Sequence, residues 1–291
     1  MFLNFLKHKK LYFIFSGILI LASIVCLSVF GLAFGIDFTG GSIMELEYQG
    51  TRPSAQTVKE SLSDLGTVYV QPTGSNGLII RMKNISEESH QQILQILSEG
   101  YQIQEQRFES IGPTIGQELQ RKTNILIAVA LAAIVLYIAF SFRKVHRSVR
   151  SWQYGISALV ALFHDVLIPL AVFSILGKFY GVQISIPVIA GLLTVLGYSI
   201  NNTVVVFDRI RENIIRGGEN FEDIIDKSLN QTLARCINTS LTTLLVLLSI
   251  FFLGGATLQY FALVLIIGII AGTYSSLFLA PPVLTTFLKS A

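Results

Sequence analysis

The sequence predicts a polytopic α-helical membrane protein with six transmembrane helices and a small α+β domain of ferredoxin-like order, βαββαβ, between helices 1 and 2. Three observations predict this fold class. The 291-residue chain is 52% hydrophobic and only 13% charged, whereas soluble domains carry about 25% charged residues. Six apolar runs reach the roughly 20 residues that a helix needs to cross a bilayer. Residues 37–121 form a long hydrophilic segment between the first two runs.

The six predicted spans divide the chain into three parts. Residues 1–36 hold the N-terminus and the first helix, residues 37–121 form the small domain (the 37–121 domain), and residues 122–291 hold helices 2–6. The first run is not a cleaved signal peptide, because its apolar stretch is about 24 residues long and no small-residue cleavage site follows. The spans lie near Leu11–Phe34, Asn124–Phe142, Tyr154–Leu176, Ile184–Phe207, Asn238–Leu253 and Leu258–Phe278.

Basic residues predict the orientation. With six spans, four groups of lysines and arginines fall on one side, whereas the connection between spans 3 and 4 holds only Lys178. The positive-inside rule places the side of the four groups in the cytoplasm. We therefore expect both termini in the cytoplasm and the 37–121 domain outside. That domain carries 11 acidic and 6 basic residues, so the overall charge reflects topology and not nucleic-acid binding. The basic residues are Lys7, Lys9, Lys10, Arg143, Lys144, Arg147, Arg150, Arg209, Arg211, Arg216, Lys227, Arg235 and Lys289.

The 37–121 domain has the element order of a split βαβ fold. Alternating apolar residues predict a first strand at 42–48. Ser54 and Ser86 are predicted N-caps of two helices, which end near Gly66 and Gly100. Between the helices, the Gly74–Gly77 turn joins two short strands. The remaining strands are predicted at 68–70, 78–82 and 101–108. This βαββαβ order indicates a ferredoxin-like domain, and it serves equally well as a moving or a static platform.

Glycine-rich segments flank this domain. Gly35–Gly41 and Ile111–Gly116 need the backbone freedom of glycine and are predicted hinges or tight turns, and a helix is expected to run from Thr114 into the second span. Gly31-x-x-x-Gly35 and Gly268-x-x-x-Gly272 allow close helix approach. The residues that we assign to the hinges are Asp37, Phe38, Thr39, Gly40, Gly41, Gly112, Pro113 and Gly116.

Asp165 is a lone carboxylate in the middle of the third span. An ionisable group at mid-membrane costs about 2.5–3.5 kcal/mol on insertion scales, which makes it a candidate functional residue. Pro169, one turn later, frees a backbone carbonyl near it. His164 and Asp165 resemble a proton-relay pair, although adjacent helical residues point about 100° apart and need not touch. The alternative role for Asp165 is a buried polar lock between helices.

A second polar cluster lies in the fourth span and its cytoplasmic end. The third and fourth spans thus both contain polar groups, which suggests an ion pathway or a polar contact between helices. For Asn201 and Asn202 the alternative is interhelical hydrogen bonding, and for Arg209 and Arg235 it is a topology anchor at the membrane surface. The cluster comprises Ser199, Asn201, Asn202, Thr203, Asp208 and Arg209.

The connection at 209–236 is predicted to contain an amphipathic helix on the inner membrane surface, which delivers Arg235 to the fifth span. Its apolar face consists of Phe221, Ile224, Ile225, Leu229 and Leu233. No P-loop, G-x-S-x-G or H-E-x-x-H sequence is present, and two isolated cysteines indicate neither a disulfide nor a metal framework. We expect no enzymatic site, no cofactor and no metal, and an energy source in an ion gradient or a partner.

Several motifs together resemble the SecF family of the SecDF protein-export complex, within the resistance-nodulation-division superfamily. The resemblance covers nearly the whole chain. Besides His164-Asp165, it rests on Gly35–Gly41 (GIDFTGG), Ile111–Leu119 (IGPTIGQEL), Gly197–Asn213 (GYSINNTVVVFDRIREN), Arg235–Ser240 (RCINTS) and Ala271–Ser276 (AGTYSS).

The resemblance implies an accessory subunit in the prokaryotic plasma (inner) membrane that pairs with SecD beside the SecYEG channel, with YajC and YidC as further candidate partners. It implies pulling of unfolded polypeptide on the outer side, driven by protons or sodium ions. A non-conducting scaffold that holds SecD to the channel is the alternative. A small-molecule exporter of the superfamily is disfavoured, because such exporters usually have twelve spans and two large outer domains.

One position departs from the pattern that the resemblance implies. The family usually has Asn-Asp-Thr where this chain has Asn201-Asn202-Thr203. The resemblance implies that this aspartate couples ions together with the arginine that matches Arg235. An amide cannot exchange a proton near neutral pH, so Asp165 or a SecD carboxylate carries the ion here, or this chain couples differently.

Overall fold

The computed structural model describes residues 3–63, 66–142, 150–217 and 220–287. The chain divides into two compact units. The larger unit comprises Met1–Gly31, Ile127–Ser174 and Pro187–Ala291, and the smaller comprises Leu32–Leu126 and Ile175–Ile186. Some residues used in the sequence-based predictions lie outside the described residues, and these are Arg143, Lys144, Arg147 and Lys289.

Six helices in the described part of the chain are long and apolar enough to cross a membrane, which confirms the predicted number. A short 3-10 helix at Leu6–His8 precedes the first of them. The long helices are α1 (Lys9–Phe30), α5 (Pro113–Ser141), α6 (Ser151–Tyr180), α7 (Ile186–Arg216), α8 (Phe221–Leu253) and α9 (Ala256–Phe278), and α10 (Ala280–Thr286) follows the last of them.

The smaller unit contains the predicted ferredoxin-like domain. Its elements are α2 (Ile36–Thr39), β1 (Gly41–Tyr48), α3 (Ala55–Ser61), β2 (Tyr69–Thr73), β3 (Gly77–Met82), α4 (Glu87–Ser98) and β4 (Ile103–Ile111). The antiparallel sheet has the order β2-β3-β1-β4. Met44 and Leu46 of β1 and Leu78 and Ile80 of β3 are fully buried in its core, because alternate strand residues share one face of a sheet.

Local capping explains both helices of this domain. The Ser54 side chain accepts a hydrogen bond from the Thr57 amide at 3.1 Å, and the Ser86 side chain accepts one from the Ser89 amide at 3.3 Å. Each serine thus satisfies an otherwise unpaired amide in the first turn. Burial of Ile93, whose side chain is fully buried, then holds α4 against the sheet.

Two strands extend beyond their predicted C-terminal ends. β4 extends to Ile111 because its last residue pairs with Gly41 at the start of β1. β2 extends through Pro72. This proline is tolerated because β2 lies at the edge of the sheet, where one side of the strand has no neighbouring strand that needs its amide.

The predicted surface helix at 209–236 is wrong as a separate element. Helix α7 continues to Arg216, and α8 runs without a break from Phe221 to Leu253. The apolar side chains Ile224, Ile225 and Leu229 lie in the protein core of the larger unit. The last turns of α7 also contribute apolar side chains to this core, so the apolar face of α8 packs on protein and not on lipid.

Candidate functional site

Asp165 and His164 are completely buried side by side in α6 of the larger unit. The Nδ1 of His164 lies 2.9 Å from Oδ1 of Asp165, so the two neighbouring side chains do touch. Oδ2 of Asp165 accepts hydrogen bonds from the Ser199 hydroxyl of α7 at 2.5 Å and from the Ser275 hydroxyl of α9 at 2.6 Å. Groups from three helices therefore converge on one carboxylate, which compensates its loss of solvation.

Pro169 lies inside α6, four residues after Asp165. A helical amide normally donates to the carbonyl four residues earlier, and proline has no amide hydrogen. The missing bond is therefore the one to the Asp165 carbonyl itself. As a result, α6 lacks a backbone hydrogen bond at the residue that carries the buried carboxylate.

Helices α7 and α9 approach closely beside this carboxylate. A Cβ atom added to Gly191 would collide with Val264, and one added to Gly268 would collide with Val195. One turn further, a Cβ on Gly272 would lie 3.0 Å from the Ser199 Cβ and 3.4 Å from Oδ2 of Asp165. The contacts advance by four residues on both helices, so α7 and α9 run parallel with glycines at the crossing. The three facing pairs are Gly191 and Val264, Val195 and Gly268, and Ser199 and Gly272.

Asn202 is buried in a neutral polar cluster between α7, α8 and α9. Its Nδ2 donates to the Ser240 hydroxyl at 3.4 Å. The Ser240 oxygen in turn lies 2.6 Å from the Thr273 hydroxyl and accepts from the Tyr198 hydroxyl at 3.3 Å. This arrangement is the interhelical hydrogen bonding that the sequence offered as the alternative role of Asn202.

The charged candidates at the far end of α7 form a separate group. Asp208, Arg209 and Arg235 line a cleft of about 280 Å³ between α7 and α8. Arg209 donates to Glu212 at 2.8 Å, whereas the exposed Arg235 has no ion-pair partner within the described residues. Asp165 and Asn202 do not line this cleft, and Asn201 is exposed. The other lining residues are Val204, Val205, Glu212, Gln231 and Thr232.

In the smaller unit, the segment Gly35–Gly41 makes a hydrogen-bonded junction with residues 184–186. Oδ2 of Asp37 accepts from the Ile186 amide at 2.9 Å, which caps the first residue of α7. The Gly35 amide donates to the Ile184 carbonyl at 2.8 Å. Phe38 is buried, and the Thr39 hydroxyl donates back to the Gly35 carbonyl at 3.1 Å. The segment includes the short helix α2, which sequence patterns did not predict.

Glycine is required where this segment meets β1 and α5. Gly40 and Gly41 have φ angles of +71° and +135°, a region that other residues rarely adopt. A Cβ on Gly116 would lie 2.8 Å from the Gly40 amide nitrogen. The Gly116 amide donates to the Gly112 carbonyl at 3.0 Å, and Pro113 begins α5, a position where proline is favoured.

Sequence reasoning missed Ser275 as a ligand of the Asp165 carboxylate. Its hydroxyl lies in an apolar helix and donates to Oδ2 of Asp165. A serine in a membrane helix commonly bonds its own backbone, so its position in the sequence carried little information. The available signal was the small-residue spacing of Gly268, Gly272 and Ser276, which marks the face of α9 that packs closely.

The fold and the polar groups buried between its helices define a class of multi-pass α-helical membrane protein. Residues 91–290 match the family model described as "Protein export membrane protein SecD/SecF, C-terminal". Residues 27–51 match the "SecD/SecF GG Motif". This range contains the segment Gly35–Gly41 described above.

Curated relatives narrow this class. The chain is 38% identical to the protein translocase subunit SecF of Thermobaculum terrenum, over 98% of this chain and 94% of that protein. It is 38% identical to the subunit of the same name from Anaerolinea thermophila, over 96% of this chain and 92% of that protein. The chain belongs to the SecF family.

A solved structure has the same fold. The crystal structure of SecDF from Thermus thermophilus, a translocon-associated membrane protein, superimposes with a TM-score of 0.88 at 31% sequence identity. All of this chain is covered, but it spans only 39% of the length of that SecDF chain.

Proposed function

We propose that this chain is an accessory subunit of the Sec protein-export translocase. With a SecD-type partner, it uses an ion gradient to promote late polypeptide translocation on the outer side of a prokaryotic plasma membrane. The naming of the SecF relatives supports the export role. The SecDF structure supports the partnership. This chain covers 39% of the SecDF chain, so the remaining 61% of the SecDF chain lies outside the matched part.

The bonding of Asp165 is the observation that carries the ion-coupling proposal. Both serine hydroxyls donate to Oδ2, and the histidine nitrogen lies against Oδ1. Uptake or release of a proton by the His164–Asp165 pair changes its charge and its set of hydrogen-bond donors and acceptors. A change of charge at this site therefore alters the contacts between α6, α7 and α9 and gives a gradient a way to move helices.

Arg235 and Asn202 complete the proposal. The amide of Asn202 cannot carry a proton, so we place the ion coupling of this chain at the buried pair of Asp165 and His164. Arg235, which has no ion-pair partner in the described part of the chain, is exposed at the surface. A carboxylate of the SecD-type partner would neutralise it there. The channel SecYEG and the translocating polypeptide are the further partners in this proposal.

The orientation belongs to the same proposal, with both termini in the cytoplasm and the 37–121 domain outside. A cysteine introduced as Ser75→Cys, in the turn before β3, should react with an impermeant thiol reagent in intact spheroplasts. Reaction only after membrane rupture would contradict the orientation. The native Cys236 is buried, and a Cys26→Ser, Cys236→Ser background removes both native thiols.

The decisive test compares export by wild type and Asp165→Asn in proteoliposomes that contain the SecD-type partner and the channel, with and without an ion gradient. We expect the variant to copurify with the partner but to lose the stimulation by the gradient. Asp223→Asn, the same change at an exposed position of α8, is the matched control and should retain it. A wild type that exports equally with and without a gradient would overturn the proposed function.

A non-conducting scaffold is the second candidate. The neutral hydrogen-bonded cluster around Asn202 favours it, because this cluster binds three helices together without a titratable carboxylate. Under this alternative, Asp165→Asn would weaken assembly with the partner while any gradient stimulation contributed by the partner remains.

A further inference from the structure

The Nε2 atom of His164 is buried and has no hydrogen-bond partner among the described residues. The whole side chain is completely inaccessible, and its other ring nitrogen is held by Asp165. Buried polar atoms are nearly always paired, so an unpaired one needs an explanation. Here the unpaired atom belongs to the one side chain type whose ordinary titration lies near physiological pH.

The hydrogen bonds around Asp165 define which atom of the imidazole is free. Oδ2 accepts from two hydroxyls, so an ionised carboxylate takes its remaining bond at Oδ1 from a protonated Nδ1. That tautomer leaves a lone pair on Nε2. The unit of His164 and Asp165 then carries a net charge of −1 inside the larger unit.

The groups that face this pair are few and mostly uncharged. The α9 residue Tyr274 lies with its ring 5.8 Å from the imidazole. Its hydroxyl is engaged elsewhere, 3.2 Å from the Ser16 hydroxyl and donating to the Tyr12 carbonyl of α1 at 3.4 Å. Helix α7 contributes the non-titrating Ser199. The titratable groups facing His164 within the described residues are thus Asp165 on its own helix and Tyr274, with Tyr12 behind it.

We infer that Nε2 of His164 is the proton-binding atom of this chain and that Asp165 is its fixed counter-ion. This inference rests on the proposed function and assigns the coupling site within it. In the step, a hydronium ion transfers a proton to the Nε2 lone pair. One N–H bond forms, one O–H bond of the hydronium breaks, and water leaves. The charge of the pair changes from −1 to 0, and the reverse step releases the proton.

Proton uptake at Nε2 disturbs the site less than uptake at the carboxylate. A proton on Asp165 would force one of its three donors to turn away, whereas a proton on Nε2 leaves all three in place. A neutral imidazolium–carboxylate pair is also better tolerated in a low-dielectric interior than a single unbalanced charge. The new N–H then lacks an acceptor, which favours a rearrangement of the helices around it.

Helix α6 lacks one backbone hydrogen bond beside the pair. The Asp165 carbonyl lacks its intrahelical donor because of Pro169, and freed carbonyls in membrane helices are commonly satisfied by ordered water. Opening at this turn would bring water to the residue next to His164.

The test uses the complex of the full chain with its SecD-type partner and the channel in proteoliposomes with an internal pH-sensitive dye. His164→Asn retains an amide donor near the Nδ1 position but cannot bind a proton. We expect it to assemble with the partner and to lose gradient stimulation entirely, together with the associated proton movement. The matched control is His8→Asn, at an exposed histidine, which should behave as wild type.

The outcomes separate this inference from the proposed function. Full stimulation of His164→Asn by a proton gradient, with wild type also stimulated, overturns the inference but leaves the function. Stimulation of wild type by a sodium gradient alone also overturns the inference and leaves the function. No stimulation of wild type overturns the function itself. If His164→Asn does not assemble, ¹⁵N-histidine NMR of the wild-type complex decides, because an Nε2 that never gains a proton as the pH is lowered overturns the inference.

Discussion

Gly272 of α9 lies directly against Ser199 of α7, at the point where the Ser199 hydroxyl donates to the buried carboxylate of Asp165. The absence of a side chain at position 272 sets the distance between the two helices. It therefore also sets the geometry of the carboxylate that both helices contact through their serines.

We expect Gly272→Ala to lower the stability of the chain. The added Cβ would lie 3.0 Å from the Ser199 Cβ, and overpacking of this kind costs about 1–3 kcal/mol. Gly197→Ala is the matched control, because that helical glycine has open space within 4 Å and alanine is the better helix former by up to about 1 kcal/mol. Detergent-induced unfolding of both variants measures the difference, and equal stability would contradict the close-contact role of Gly272.

A second prediction concerns Asn202→Asp. The new carboxyl group would enter the neutral cluster at Ser240 and, unlike the amide, could exchange a proton. We expect gradient-dependent export to acquire a new pH dependence. Export across a pH series in proteoliposomes measures it, with the same change at the exposed neighbour, Asn201→Asp, as control. Identical pH curves for wild type and both variants would argue for the scaffold alternative.

The segment Gly35–Gly41 gives a third prediction. Gly41 and Gly50 both have positive φ angles, +135° and +115°, but only Gly41 faces backbone, with the Met82 carbonyl 2.7 Å from an added Cβ. We expect Gly41→Ala to expose the amides of β1 and β3 to hydrogen exchange in the intact chain. Gly50→Ala should show only the effect of its φ angle, so similar exchange in both variants would refute a steric role for Gly41.

The fourth prediction is a pH dependence within the 37–121 domain. Hydrogen bonds from Gln91 and then His90 lower the pKa of the Glu87 carboxyl below its ordinary 4.5. A depressed folded pKa gives stability that is present above the unfolded value and lost as the pH falls through the folded value.

We therefore expect the amides of α4 to lose protection from hydrogen exchange as the pH falls below about 4.5, after correction for the intrinsic exchange rate. Glu87→Gln should reduce this acid-dependent loss. If the variant loses protection over the same pH range and to the same extent, Glu87 is not its source.

The sequence predicted the elements whose signals are local. Ser54 and Ser86 were recognisable as N-caps because capping involves amides only three residues away, and the six apolar runs were recognisable by length. Contacts between distant helices were not predictable in this way. Ser275 contacts Asp165 across 110 positions of the chain. The small residues around it in the sequence mark a closely packed helix face, but they do not identify the residue that it contacts on another helix.

The failed prediction of a surface helix has the same origin. The amphipathic pattern of 221–233 was real, since Ile225 and Leu229 are fully buried. Amphipathicity shows that a face is apolar but not whether lipid or protein covers it. Here the covering side chains, Ile210 and Ile214, lie on α7, and only the three-dimensional structure identifies them.

The contact between the parallel helices α7 and α9 is sterically different for sliding in the two directions along the helix axis. If α9 moved one turn, about 5.4 Å, so that Gly268 faced Gly191, then Gly272 would face Val195, and Val264 would move to the first turn of α7. A step of the same size in the opposite direction would press Val264 against Val195. On this register we expect sliding of the two helices to meet less steric resistance in the first direction than in the second, and a step in the first direction would carry Ser275 away from Asp165. The shape of the interface would then give one direction to a helix displacement that starts at the carboxylate, and no further hinge would be needed.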